Sequence, residues 1–144
     1  YTTAYPMLRS RGLSGVFFLS HDACGASPRL LEVHKIHFLL ARLGARAFRQ
    51  AVLRECRSVP AVAAGSRGVF GADKWEEDDE RGVKNLLNYD LPFDEAARVL
   101  EQLFARELGD SAAFARTLYL DAGMIAEMAA GGMTFAMILV SLVW

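Results

Sequence analysis

Residues 128–144, MAAGGMTFAMILVSLVW, carry no charged side chain over seventeen positions. Extended back to Ala122, the stretch contains one acid, Glu127. As a single helix, residues 122–144 would be about 34 Å long, enough to cross the roughly 30 Å hydrocarbon core of a bilayer. The stretch therefore predicts a C-terminal transmembrane helix. The alternative is a buried or interfacial helix of a soluble domain.

Small residues recur along this predicted helix at every fourth position, which places them on one face. The stripe consists of Ala122, Ala126, Ala130 and Thr134, with Gly131 and Gly132 beside it. Because helix association in lipid depends on close van der Waals contact, the stripe predicts a packing interface with other transmembrane helices.

Glu127 is the one ionisable group inside the predicted span, where a carboxylate is costly unless it is paired, protonated or acting as a ligand. With Gly131 it reads ExxxG, which is similar to the ExxxGR turn of light-harvesting antenna helices, whose glutamate ligates a chlorophyll. Gly132 replaces the arginine, and the chain has one candidate span instead of three, so the resemblance does not assign the chain to that family. It implies Glu127 as a cofactor-binding candidate facing a pigment or a basic partner.

The rest of the chain has the composition of one ordinary domain, with 53% hydrophobic and 23% charged residues among 144. Charge is uneven: residues 1–57 hold nine basic and three acidic side chains, and residues 58–144 hold seven and fourteen. We predict a mainly α, helical extramembrane domain over residues 1–121. It comprises a basic part (1–57), a linker (58–72) and an acidic part (73–121), and the transmembrane helix follows at 122–144. The two charged halves can pair with each other or face different partners.

A long basic helix is predicted over residues 28–57, starting with Ser27 as cap and Pro28 in the first turn. Its apolar face packs inward, and its basic face carries Lys35, Arg42, Arg46 and Arg49. This face predicts contact with an acidic subunit surface or with anionic lipid. Nucleic acid is not predicted as a partner, because the acidic half would oppose a polyanion.

Four further segments, at residues 12–20, 76–80, 90–109 and from 110 onward, have predicted secondary structure. Residues 12–20, GLSGVFFLS, fit either a buried strand or a helical turn. The acids of residues 76–80 fit the first turn of a helix. Asp90 and Pro92 open another helix that Gly109 closes, with an apolar stripe of Phe93, Ala97, Leu100, Leu103, Phe104 and Leu108. Asp110 caps a last helix, which runs on toward the terminal span with a kink at Asp121 and Gly123 and a bend near Gly123 or Gly131.

Catalytic signatures are not found, and no enzyme activity is predicted. Cys24 and Cys56 have no CxxC spacing, and we expect free thiols and no metal site. His34 and His37, three residues apart, are retained as cofactor-binding candidates beside Glu127, for a pigment or another cofactor of unknown identity. The sequence contains no GxSxG, HExxH, P-loop or dinucleotide-binding motif.

These features predict a non-catalytic accessory subunit of a multisubunit membrane complex, anchored once in an organellar membrane. A photosystem in the thylakoid or a respiratory complex in the mitochondrial inner membrane is the type of assembly we expect. The alternative is a soluble α-helical protein–protein interaction module whose C-terminal helix is buried.

Overall fold

The computed structural model describes residues 1–24, 27–57 and 78–138, and they are mainly helical, as predicted. The predicted linker at 58–72 lies outside the described residues. Seven α-helices and two strands are present in the described ranges: α1 Ala4–Ser10, β1 Val16–Ser20, α2 Glu32–Leu43, α3 Ala45–Glu55, α4 Asp78–Asn85, α5 Phe93–Glu107, α6 Ser111–Leu118, α7 Ala122–Ala130 and β2 Thr134–Ile138. Short 3-10 and π-helical segments occupy His21–Ala23 and Leu86–Asp90.

The chain forms two compact units. One unit is Glu32–Asp110, and the other combines residues 1–31 with the chain from residue 111 onward. We call them the helical unit and the terminal unit.

The helical unit is built from α2, α3, α4 and α5, with α5 packed against both α2 and α3 and with α4 packed against α3. Apolar side chains at helical spacing on each element supply its core. Those that are buried include Ile36, Leu39, Phe48, Val52, Val83, Leu86, Val99, Leu100, Leu103 and Phe104.

The long basic helix predicted over residues 28–57 is wrong, because two helices occupy this segment. The first begins at Glu32 instead of Pro28, and it ends before Gly44. Gly44 has a φ of 75°, a left-handed conformation that glycine adopts readily and that ends a helix. Its N–H donates to the Leu40 carbonyl and its own carbonyl accepts from Phe48 N–H, so α2 ends and α3 begins at this one residue.

The helix predicted between Pro92 and Gly109 is confirmed as α5. The Pro92 carbonyl accepts the first helical bond, from Ala96 N–H at 2.9 Å. Gly109 has a φ of 94°, and its N–H donates to the Phe104 carbonyl. The N-terminal proline and the C-terminal glycine thus bound the helix as their backbone preferences predict.

Ion pairs and hydrogen bonds join the end of α3 to α5 inside the helical unit. Arg106 pairs with Glu55, and Arg98 donates through Nη2 to the Glu55 carbonyl at 2.9 Å. The carboxylate of Glu95 receives two bonds from Arg98, at 2.9 and 2.6 Å, and one from Arg57 N–H at 2.9 Å. Glu95 therefore ties α5 to the chain that leaves α3.

A pH dependence follows from this arrangement, because hydrogen bonds from Arg98 and then from Arg57 lower the pKa of Glu95 to about 2. Between pH 4.5, the ordinary pKa of the group, and about pH 2, the Glu95 carboxylate binds fewer protons in the native state than in the unfolded chain. The stabilisation is therefore complete above pH 4.5 and declines as the pH falls toward 2. We expect the excess stability of the wild type over Glu95→Gln, measured by urea unfolding, to be constant above pH 4.5 and to shrink below it.

Asp94→Asn is the matched control, because Asp94 is an exposed carboxylate of the same helix without an ion pair to any described residue. A gap between wild type and Glu95→Gln that does not narrow below pH 4.5 would contradict the assigned role of Glu95.

The single helix predicted over residues 122–144 is wrong in its described part, since α7 ends at Ala130 and residues 134–138 form β2. Gly132, at a φ of 88°, ends the helix: its N–H donates to the Ala129 carbonyl and Met133 N–H donates to the Met128 carbonyl. These two bonds form a Schellman motif, in which residues Met133 and Met128 also make the usual apolar contact. The residues from 139 onward lie outside the described ranges.

The kink predicted at residues 121–123 is a full break, in which α6 ends at Leu118 and α7 starts anew. The Asp121 carboxylate accepts from Met124 N–H at 2.7 Å and caps α7. In the described ranges, no helix combines the length and the apolar character that crossing a membrane requires.

Residues 16–20 of the segment 12–20 form a strand, β1, which pairs in parallel with β2 and is not buried as the strand alternative expected. The register places Val16 beside Thr134 and Ser20 beside Ile138. Phe17 and Phe135 meet on the inner face at 5.8 Å between ring centroids. They pack with Leu8 and Leu120 around a small core of Tyr5, Met128 and Met133.

Candidate functional site

The most distinctive polar surface of the helical unit is formed by arginines at the end of α2 and along α3. Arg46 and Arg54 lie eight residues apart on α3 with Gln50 between them, so all three share one face. Arg42 lies in the last turn of α2, just before the Gly44 break. All three arginines are exposed, and none forms an ion pair with a described residue. We call Arg42, Arg46 and Arg54 the arginine face.

Three other cations of the same unit form ion pairs within the protein. Lys84 pairs with Glu80 at 2.9 Å, Arg98 with Glu95 and Arg106 with Glu55. Exposed ion pairs contribute little to stability, so this pairing mainly decides which charges remain available to a partner. The arginine face is therefore a concentration of uncompensated charge among the described residues.

Lys35 does not belong to this face, which corrects its predicted place among the partner-binding or lipid-binding residues. It is only 4% exposed, and its Nζ lies 2.8 Å from Glu101 Oε2 and 3.8 Å from Glu32 Oε1. Burial of an ammonium group is costly, and these two carboxylates offset that cost. Lys35 thus joins α2 to α5.

Arg49 is also displaced from the predicted face. It is only partly exposed, and its side chain runs beside the backbone of Gly82 in α4. The predicted set of Lys35, Arg42, Arg46 and Arg49 is therefore divided, with Arg42 and Arg46 facing outward.

The surroundings of the arginine face are small or polar. Ala41, Ala47 and Gln50 are the exposed residues between and beside the arginines. Leu39 and Phe48 are buried in the core, whereas Leu43 and Leu53, which adjoin Arg42 and Arg54 in the sequence, are partly exposed. The face therefore offers charge and planar guanidinium donors, with no fully exposed large apolar side chain between them.

Glu127, a predicted cofactor ligand, is exposed to solvent and forms hydrogen bonds with two tyrosines of the protein. Its side chain accepts a hydrogen bond from the Tyr1 hydroxyl, and its carbonyl accepts one from the Tyr5 hydroxyl at 3.2 Å. The hydrogen bond to the Glu127 carboxylate raises the pKa of Tyr1. These contacts connect α1 to α7.

The predicted packing stripe is divided between two kinds of structure. Ala122, Ala126 and Ala130 are exposed on α7, and Thr134 begins β2. Gly131 allows the Tyr5 ring to lie close to the backbone, because a Cβ at this position would lie 2.3 Å from the Tyr5 hydroxyl oxygen. The stripe is therefore not one continuous helical face.

His34 and His37 lie one turn apart on α2, the first partly buried and the second exposed. Partial burial, with a smaller effect of His37, lowers the pKa of His34. Within the described ranges, no group of three or more His, Cys, Asp or Glu side chains is placed to hold a metal ion. Binding of a cofactor by His34, His37 or Glu127 stays a prediction.

Arg54 is the member of the arginine face that the sequence interpretation missed. Its spacing of eight residues from Arg46 is a readable signal once α3 is treated as a separate helix. On one continuous helix from 28 to 57, the basic face is centred on Lys35 and Arg42. Arg54 is turned about 100° away from Lys35 on such a helix and therefore lies outside that face.

Comparison with known proteins gives no assignment: no family model, no curated protein and no solved structure matches the chain.

Proposed function

We propose that the protein is a non-catalytic interaction module that docks on an acidic surface of a partner protein through the arginine face. The observation that supports this proposal is the contrast within the helical unit. Lys35, Lys84, Arg98 and Arg106 are paired internally, whereas Arg42, Arg46 and Arg54 point outward without an ion pair to a described residue.

The spacing of the face favours a structured acidic partner. Arg46 and Arg54 are separated by about 12 Å along α3, and Arg42 extends the set past the Gly44 break. Arginine binds carboxylates in a planar, two-bond geometry, so a surface that presents carboxylates at matching intervals would gain both affinity and orientation.

Two other polyanions fit less well. Binding at a membrane surface is favoured by large exposed apolar side chains beside the basic ones. The exposed neighbours here are Ala41, Gly44, Ala47 and Gln50, and Leu43 and Leu53 are only partly exposed. A nucleic acid would meet a chain with an overall charge of −1, and its phosphates would be repelled by the acids of the second half. A protein carboxylate surface needs no apolar neighbours, and it can be small enough to contact the arginine face alone.

This proposal keeps the expected role of an accessory subunit and, of its two expected contacts, the one between the basic face and an acidic surface. Membership of a photosystem or respiratory assembly, and location in an organellar membrane, stay predictions. The expected contact through the C-terminal segment loses the support of a continuous helix, because residues 122–138 form α7 and β2.

The test uses a polyglutamate peptide as the probe of acidic protein surface, with binding measured by calorimetry at low ionic strength. We expect Arg42→Glu with Arg46→Glu to weaken binding by at least about tenfold, because two attractive contacts become repulsive. Added salt should weaken binding of the wild type, since the contacts are exposed.

The matched control reverses Arg11 and Arg116, two exposed arginines of the terminal unit, and produces the same change in net charge. Thermal unfolding of both double variants checks that each is folded. Equal losses in the two variants would show a net-charge effect and overturn the proposal. Stronger binding of the wild type to phosphatidylserine vesicles or duplex DNA than to polyglutamate would overturn the choice of partner.

A further inference from the structure

The sheet of the terminal unit has an outer edge that no described strand covers. The described residues contain one sheet, and it consists of β1 and β2 alone. Two paired strands are marginal by themselves, and parallel sheets are normally covered on both faces.

The backbone groups on this edge can be identified from the ladder. Thr134 N–H donates to the Gly15 carbonyl at 2.9 Å, so Gly15 faces β2. Along a strand, successive residues direct their backbone groups to opposite sides, which makes Val16, Phe18 and Ser20 face the outer edge. The N–H groups of Val16, Phe18 and Ser20 and the carbonyls of Val16 and Phe18 thus form a ready pairing site, while the Ser20 carbonyl begins the 3-10 segment His21–Ala23.

The side chains of β1 do not protect this edge. Exposed edge strands usually carry charged residues or proline, which discourage pairing with another strand. The sequence of β1 is VFFLS, without either. Val16 is 60% exposed and Phe18 is 65% exposed, the highest value among the large apolar side chains of the described residues.

We propose that the outer edge of β1 pairs antiparallel with β1 of a second copy of this chain. The two-fold axis passes beside Phe18, the middle residue of the strand. In this register Phe18 lies opposite the partner's Phe18 and exchanges two hydrogen bonds with it. Val16 lies opposite the partner's Ser20, whose N–H donates to the Val16 carbonyl. The result is a continuous four-stranded sheet.

The strand itself favours a second copy as the occupant. Antiparallel self-pairing sets Phe18, the most exposed large apolar side chain, directly against the partner's Phe18, and aromatic cross-strand pairs are favourable. The uncharged sequence brings no like charges into opposition across the axis. The contact does not include the arginine face, so the inference is independent of the proposed function. Because five-residue strands bury little area, we expect a weak dimer whose population rises with concentration.

Sedimentation measurements over a wide concentration range test the association. We expect Phe18→Lys to raise the dimer dissociation constant at least about tenfold, because it removes the aromatic pair and places two cations opposite each other. The control is Leu118→Lys, which changes an exposed apolar residue of α6 and should leave the constant unchanged. Thermal unfolding verifies that both variants are folded.

Disulfide trapping tests the register, in a background in which Cys24 and Cys56 are replaced by serine. Paired Phe18→Cys residues would have Cα atoms about 5.5 Å apart, within disulfide range. Two Val16→Cys residues, equally exposed, would be about 14 Å apart and out of range. We expect Phe18→Cys to form dimers under mild oxidant and Val16→Cys to form them only when mixed with Ser20→Cys chains.

A monomer at every concentration up to the solubility limit would overturn the proposal. Equally fast dimer formation by Val16→Cys and Phe18→Cys chains would overturn the register, and with it the argument from the outer-edge backbone groups.

Discussion

Replacing Phe104 by alanine is expected to lower the free energy of unfolding by about 3–5 kcal/mol. The side chain is 0% exposed and lies on α5, which packs against both α2 and α3. Truncation removes buried apolar area and leaves a cavity that three helices cannot close without moving. Since domains are stable by only about 5–15 kcal/mol, the variant would lose a large share of its stability. Urea unfolding at neutral pH measures the difference.

Phe93→Ala is the matched control, because it makes the same chemical change on the same helix at a residue that is 59% exposed. Its expected effect is within about 0.5 kcal/mol. Equal losses for Phe93→Ala and Phe104→Ala would contradict the orientation of α5.

The same pair of residues shows what periodicity can predict. Both phenylalanines belong to the predicted apolar stripe of α5, and the helix limits followed from Pro92 and Gly109. Periodicity gives the direction of a stripe but not how far the neighbouring helices extend along it. Ala96 and Val99, which the stripe omitted, are buried, and Phe93 at the first turn is uncovered.

The terminal segment was misinterpreted because composition was given more weight than local backbone chemistry. A run without charge fits a membrane helix, and it fits equally well a helix and a strand that contribute to a protein core. The sequence AAGGM at 129–133 contained the deciding signal. A glycine two residues past a helix, followed by an apolar residue, is typical of a Schellman motif, and Met133 closes it against Met128.

The arginine face was predictable in part. Arg42 and Arg46 were assigned correctly to an outward basic surface, since a helix with one apolar face directs its other side to solvent. The burial of Lys35 could not be predicted, because its partner Glu101 is distant in sequence and meets it only through the packing of α2 on α5.

Replacing Gly131 by alanine is expected to lower the free energy of unfolding by about 1–3 kcal/mol. The new Cβ would lie 2.3 Å from the Tyr5 hydroxyl oxygen and 3.0 Å from its Cε2. Tyr5 cannot easily withdraw, because it is 4% exposed, stacks on Tyr1 and donates to the Glu127 carbonyl. Gly131 has a φ of −82°, which alanine also adopts, so the clash and not the backbone conformation would cause the loss.

A double-mutant cycle with Tyr5→Phe tests this cause directly. Removing the hydroxyl group eliminates the shortest of the three contacts, so Gly131→Ala should cost measurably less in the Tyr5→Phe background than in the wild type. Each single and double variant is compared by urea unfolding under the same conditions. Additive effects would mean that the hydroxyl is not the obstacle. A helix that continued past residue 131 would place no tyrosine ring there and would gain stability from alanine, since alanine favours helix over glycine by about 1 kcal/mol. The sign of the Gly131→Ala effect therefore distinguishes the close contact of α7 with Tyr5 from the single long helix that the apolar run suggested.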